Sequence, residues 1–160
     1  MTGIKEVVDK LEEIIMTEKD IRECDEKLED IGGKISEYVK QRLGKYLGER
    51  LSISSSIRIR KLKVYGEHRA VDSVSISVDK MNGIMISFKM SPDKHYDVNL
   101  DCLHLGTVIF LIDNLGTILD ILDEVLEKRK SLLQDLRNKL NEASHKMSEI
   151  LVAIDAEEKN

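Results

Sequence analysis

The chain has 160 residues, 41% of them hydrophobic and 34% charged, and a formal net charge of −5 at neutral pH. This balance is that of a globular protein and lies well away from disordered or collagen-like compositions. Phe88, Phe110, four tyrosines and no tryptophan leave the core to Ile, Leu and Val, so a pocket that stacks a cofactor on aromatic rings is disfavoured and no cofactor is expected.

Met1 to Lys10 alternates charged and apolar residues where a secretory segment needs an uninterrupted apolar run, so a cytoplasmic chain is expected. The most apolar stretch, Leu103 to Leu122, contains His104, Asp113, Asn114 and Asp120, and reads as too polar to span a membrane. Cys24 and Cys102 lack the spacing of a disulfide framework or a zinc motif and read as buried free thiols. Abundant Ile, Lys and Glu beside only two glutamines lean toward thermophilic usage.

The first helix is signalled by a seven-residue apolar repeat, Val7, Ile14, Ile21, Leu28 and Ile35, flanked by Ile4, Leu11, Ile15, Cys24 and Ile31. Gly32 and Gly33 together cost about 2 kcal/mol of helix propensity, so a kink or short break is expected there. A second helical piece carries Ile35, Val39, Leu43 and Leu47, with Gly48 as the terminating residue.

The period then changes to two. Leu51, Ile53, Ile57 and Ile59 alternate with serines and arginines, and Leu62 and Val64 take the opposite parity, which predicts a bulge near Lys61 or two strands joined there. Val74, Ile76 and Val78 form the next strand, and Asn82-Gly83 predicts a hairpin into Ile84, Ile86, Phe88 and Met90. Pro92 marks a further turn, followed by Tyr96, Val98, Leu100 and Cys102. Four antiparallel strands, each with one apolar face, are the economical reading.

The last third repeats Ile112, Leu119, Leu126, Leu133, Leu140, Met147 and Ile154 at intervals of seven. A second row holds Leu115, Leu122, Leu136, Ala143 and Ile150, and a third Leu111, Ile118, Val125 and Leu132. Three rows can cover a sheet, whereas the seam beyond Leu133 is as narrow as a coiled coil's. The expectation is one domain over 1–160: a helical arm at 1–48, a sheet at 51–102 and a helix at 106–156. Helix length in excess of the sheet is expected to pair as a coiled-coil stalk or bundle, through Leu133, Leu136, Leu140, Met147 and Ile154, in a homo-oligomer with the dimer favoured.

Charge is unevenly placed. Residues 1–33 carry five bases against eleven acids, while residues 34–69 carry ten bases against three acids. A basic segment in an acidic chain is a candidate anion or nucleic-acid patch, centred on Arg42, Lys45, Arg58, Arg60, Lys61 and Lys63; the competing reading is that these bases pair with the acidic first helix. Ser52, Ser54, Ser56, Ser73, Ser75, Ser77 and Ser87 share a parity and are expected on one sheet face, as an ordinary wet surface or a docking surface.

Catalytic and metal chemistry find little support. His95, Asp97, Asn99 and Asp101 alternate on one strand, where neighbours on a face are nearly 7 Å apart, so one strand supplies at most two ligands. No serine lies in a nucleophile elbow, and Gly32-Gly33 lacks the spacing of a phosphate loop. Neither a metal nor a catalytic residue is expected.

The order of long helix, small antiparallel sheet and long helix resembles prefoldin subunits, the nucleoid-associated YbaB family and, more distantly, RWD domains at the ends of kinetochore coiled coils. The resemblance is one of element order and assigns no residue a role. It implies a non-enzymatic binding protein: an oligomeric scaffold or adaptor with a macromolecular partner, with a nucleic-acid-associated protein or a prefoldin-like chaperone subunit as alternatives.

Overall fold

The computed structural model describes residues 2–90 and 92–159. Helix α1 spans Thr2–Leu43 and tightens into a 3-10 turn over Gly44–Glu49; strands β1 (Leu51–Val64), β2 (Glu67–Asp79), β3 (Gly83–Met90) and β4 (Lys94–Asn99) follow, and helix α2 spans Leu105–Glu158. The four strands form one antiparallel sheet in the order β1-β2-β3-β4. The chain is therefore α+β, with its helices at the two ends of the sequence.

Helix α1 is not broken at Gly32-Gly33. Gly32 is buried, and a Cβ on it would lie 2.5 Å from Val108 Cγ2, so the glycine lets the α1 backbone approach the start of α2. One turn on, buried Ser36 accepts a 2.8 Å hydrogen bond from the Leu103 amide. This contact offsets the propensity cost that the glycines impose. The stop expected at Gly48 comes two residues later, at Arg50, which turns the chain in a left-handed conformation (φ 52°, ψ 55°).

The hairpin between β1 and β2 closes through Tyr65 and Gly66, both with positive φ, which is the backbone a two-residue turn of primed type requires. As a result β2 begins at Glu67, well before Val74, where its alternation first shows. The second hairpin is a three-residue loop between Asp79 and Gly83, not a two-residue turn at Asn82-Gly83. Asp79 Oδ1 accepts from the amides of Met81 (2.9 Å) and Asn82 (2.6 Å), and Gly83 takes the left-handed position. Strand β4 ends at Asn99, so Leu100 and Cys102 lie in a turn in which the Leu100 amide donates to Ile84 O at 2.8 Å.

The parity switch in β1 falls earlier than Lys61. Between the pairs Ser56–Ser73 and Arg60–Val71, the three residues Ile57, Arg58 and Ile59 oppose Asp72 alone. The β2–β3 register slips by one at the same Asp72. The two irregularities fall at one place and flip parity on both strands: Ile57 and Leu62 are buried on β1, Val71 and Val74 on β2. Ile59, expected inward, is 69% exposed, and Arg60, expected outward, is half-buried.

The chain divides into two compact units, one up to Ile118 and one from Leu119 on. In the first, the opening turns of α2 belong with the apolar sheet face. Phe110 meets Phe88 (ring centroids 5.6 Å apart) and Tyr96 (4.2 Å). Buried Asn114 bridges helix and sheet: its Oδ1 accepts from the Lys63 amide at 2.7 Å, and its Nδ2 donates to Lys63 O at 2.8 Å. Helix α2 begins at Leu105, and in its first turn Thr107 Oγ1 accepts from the His104 amide. In the second unit Ile121 and Val125 are buried, and every described residue from Leu126 onward is exposed.

The most apolar part of α2 is in fact long and apolar enough to cross a membrane by length and composition. Within this fold Val108, Phe110 and Ile118 of that stretch are core residues.

Candidate functional site

Three surfaces are left over once the fold is assembled. The first is apolar. On α1 only the carboxyl-terminal part of the stripe serves the fold: Gly32 and Ser36 are buried and Leu28, Ile35 and Val39 half-buried. Ile4, Val7, Leu11, Ile14 and Ile21 are exposed to between 47 and 66%. On α2 the expected seam, Leu133, Leu136, Leu140, Met147 and Ile154, is likewise exposed, together with Leu126 and Ile150. A row of large apolar side chains exposed over many turns exceeds the contiguous apolar patches that monomers commonly leave in water.

The second surface is basic. Arg42 lies in the last turn of α1, with its guanidinium 3.4 Å from the Tyr38 hydroxyl, to which it donates, and 5.9 Å above the Tyr38 ring; Lys45 lies 5.1 Å over the ring of Tyr46. Arg58, Arg60, Lys61 and Lys63 all lie on β1, an edge strand. The bulge separates them: Lys61 and Lys63 pair with Ala70 and His68 and take the serine-face parity, whereas Arg60 pairs with Val71 on the apolar side and donates to Arg58 O at 3.1 Å. Among the described residues, none of Lys34, Arg42, Lys45, Lys61 and Lys63 forms an ion pair with the acids of residues 3–33.

The third surface is the serine face. The pairs Ser52–Ser77, Ser54–Ser75, Ser56–Ser73 and Ser75–Ser87 bring all seven serines to one side of the sheet. Ser54 and Ser75 hydroxyls meet at 3.3 Å, and Ser87 donates to Asp97. The 3-10 turn packs against β2, and the Ser77 hydroxyl is enclosed without a hydrogen-bond partner among the described residues.

A surface cleft of about 390 Å³ between the 3-10 turn and the β2–β3 loop is lined by Leu47, Arg50, Ser52, Asp79 and Lys80, among others. Asp79, Asp97 and Asp101 are engaged in holding turns and strands, Asp101 by accepting from the Ile84 amide at 3.3 Å. Among the described residues no three of His, Cys, Asp and Glu are grouped to hold a metal. Tyr96 is a phenol pushed above its usual pKa, by burial first and by the nearby Tyr65 second. Cys24 and Cys102, expected to be buried, are both exposed free thiols, because Cys24 falls on the uncovered length of α1 and Cys102 in the turn after β4.

Compared with protein-family models, with curated proteins and with solved structures, the chain matches none of them. The functional reading therefore rests on the surfaces alone.

Proposed function

We propose that the protein is a non-enzymatic scaffold or adaptor that assembles with itself through the apolar seams of α1 and α2 as a coiled-coil bundle and presents its sheet to another macromolecule. The observation that carries this reading is the seven-residue spacing of large apolar residues on both helices, uncovered over most of α1 and over α2 from Leu126 on. Burying such residues yields about 25 cal/mol per Å² of apolar surface. The test is mass in solution. Light scattering at tens of micromolar should give a multiple of the 18.3 kDa chain mass, and a monomer there removes the reading.

A second reading has its own observation: Arg42, Lys45, Arg58, Lys61 and Lys63 are exposed. They suit contact with nucleic-acid phosphates, a chemistry that needs charge and reach but no motif. Titration of a mixed-sequence duplex across several salt concentrations tests it. With about four phosphate contacts, log affinity should fall against log salt with a slope of about −3 to −4. Lys61→Glu with Lys63→Glu should flatten that slope, and failure to bind at low salt removes the reading.

A further inference from the structure

From the charge carried beside the two seams we infer that α1 of one copy pairs antiparallel with the distal part of α2 of a second copy, reciprocally, so that two such pairs form the dimer. The inference rests on the self-association proposed above and adds which helix covers which.

Length gives the first argument. The exposed row of α1 runs from Ile4 to Ile31 and that of α2 from Leu126 to Ile154, about 40 and 42 Å at ~1.5 Å per residue. Each can cover the other from end to end.

Charge gives the second. Residues 12–30 of α1 hold nine acids and three bases, while residues 3–10 hold two of each. On α2, residues 127–146 hold six bases and three acids, and residues 149–158 hold four acids and no base. Antiparallel pairing places the acidic stretch against the basic one and the neutral start of α1 against the acidic end of α2. Parallel pairing would set residues 12–30 against roughly 134–152, where three bases and three acids cancel. Pairing α1 with α1 would oppose nine acids to nine. Flanking charges select partner and direction in helix pairs, and like charges in apposition disfavour the wrong ones.

The seams give the third. The row that begins Ile4 and Leu11 continues at intervals of seven as Glu18 and Asp25, and the row of Leu122 and Leu136 is interrupted by Arg129. In the antiparallel alignment that sets residue 11 against 147, Arg129 falls one helical turn from the residue facing Asp25, within reach of its carboxylate. An isolated charge in either seam would be costly, and a facing opposite charge relieves it.

Chemical cross-linking of the full chain distinguishes the arrangements. Because Cys24 and Cys102 are exposed, both are first changed to Ser. Chains carrying Leu11→Cys are then mixed with chains carrying Met147→Cys, at positions each about half exposed, and treated with a bismaleimide of about one helical turn's reach. A Leu11→Cys chain joined to a Met147→Cys chain in most of the cross-linked product is the expected result. Products joining two Leu11→Cys chains or two Met147→Cys chains in preference, or a higher yield with Leu133→Cys than with Met147→Cys, overturn the inference. So does the absence of product while light scattering still reports a dimer; self-association then stands and only this pairing falls. A monomer by light scattering overturns both, whereas a chain carrying both Leu11→Cys and Met147→Cys that links only within itself overturns this pairing alone.

Discussion

Gly32 and Gly33 are adjacent in sequence and have opposite surroundings. A methyl group at Gly32 would meet buried Val108, whereas at Gly33 it would meet nothing within 4 Å. Replacing glycine by alanine inside a helix ordinarily gains up to about 1 kcal/mol, and Gly33→Ala should show that gain. Gly32→Ala should instead lose stability, by up to about 2 kcal/mol, because overpacking a filled core costs about 1–3 kcal/mol. Urea denaturation of both variants at one protein concentration checks the pair, and equal shifts would show that Gly32 does not hold a close contact. Tyr96 offers a test by pH. Its phenol is held protonated above the usual value, chiefly by burial, so the folded state has the higher pKa. The stability this contributes is complete below the unfolded pKa of about 10 and is lost as pH rises through the folded one. Tyr96→Phe should therefore remove part of the alkaline destabilisation, and melting curves above and below pH 10 should converge on the wild type only on the acid side.

At the scale of elements, Asn114 joins helix to sheet at a place where neither can supply its own partner. The Asn114 amide satisfies both backbone groups of Lys63, and Asn114→Ala would leave them without it, at a cost of about 1–3 kcal/mol for a buried unpaired group. Thermal denaturation should show the loss, and hydrogen exchange should show the Lys63 amide opening first; an amide that stays protected would mean another partner holds it. The same scale shows what could be read in advance. Both helices, the four strands and the serine face were legible, because seven-residue and two-residue periods come straight from helix and strand geometry. The amino-terminal half of β2 was not, since Glu67 to Ala70 has no alternation and is held by the hairpin at Tyr65-Gly66. The inward place given to Ile59 failed for a related reason. Parity runs along a strand only while its register holds, and the bulge opposite Asp72 shifts it. The exposure of Cys24 does not follow from residue type, because it depends on α1 being uncovered around that residue. The basic segment was legible as composition, but the division of its strand residues between two faces needed the register.

For the whole molecule the governing fact is that the fold consumes only part of its apolar surface. Leu136→Glu with Leu140→Glu should lower the mass in solution while leaving the sheet intact, because both residues are exposed within the single chain and only an assembly would bury the new charges. Unchanged mass, or collapse of the fold as judged by circular dichroism, would place these leucines in another role.

The sheet has its own unfinished boundary. Strand β1 has fourteen residues and lies at an edge of the sheet, the kind of backbone that recruits a strand from another molecule and leads toward fibrils. The bulge at Ile57–Ile59 divides that edge into two shorter ladders, and Arg58, Arg60, Lys61 and Lys63 crowd like charge around the break. Charge of one sign along an edge strand disfavours the addition of a strand from another molecule. Replacing Arg58, Lys61 and Lys63 by Thr would remove charge from that edge while leaving the bulge and the core in place. Such a chain should raise thioflavin fluorescence on incubation at concentrations where the parent solution stays clear.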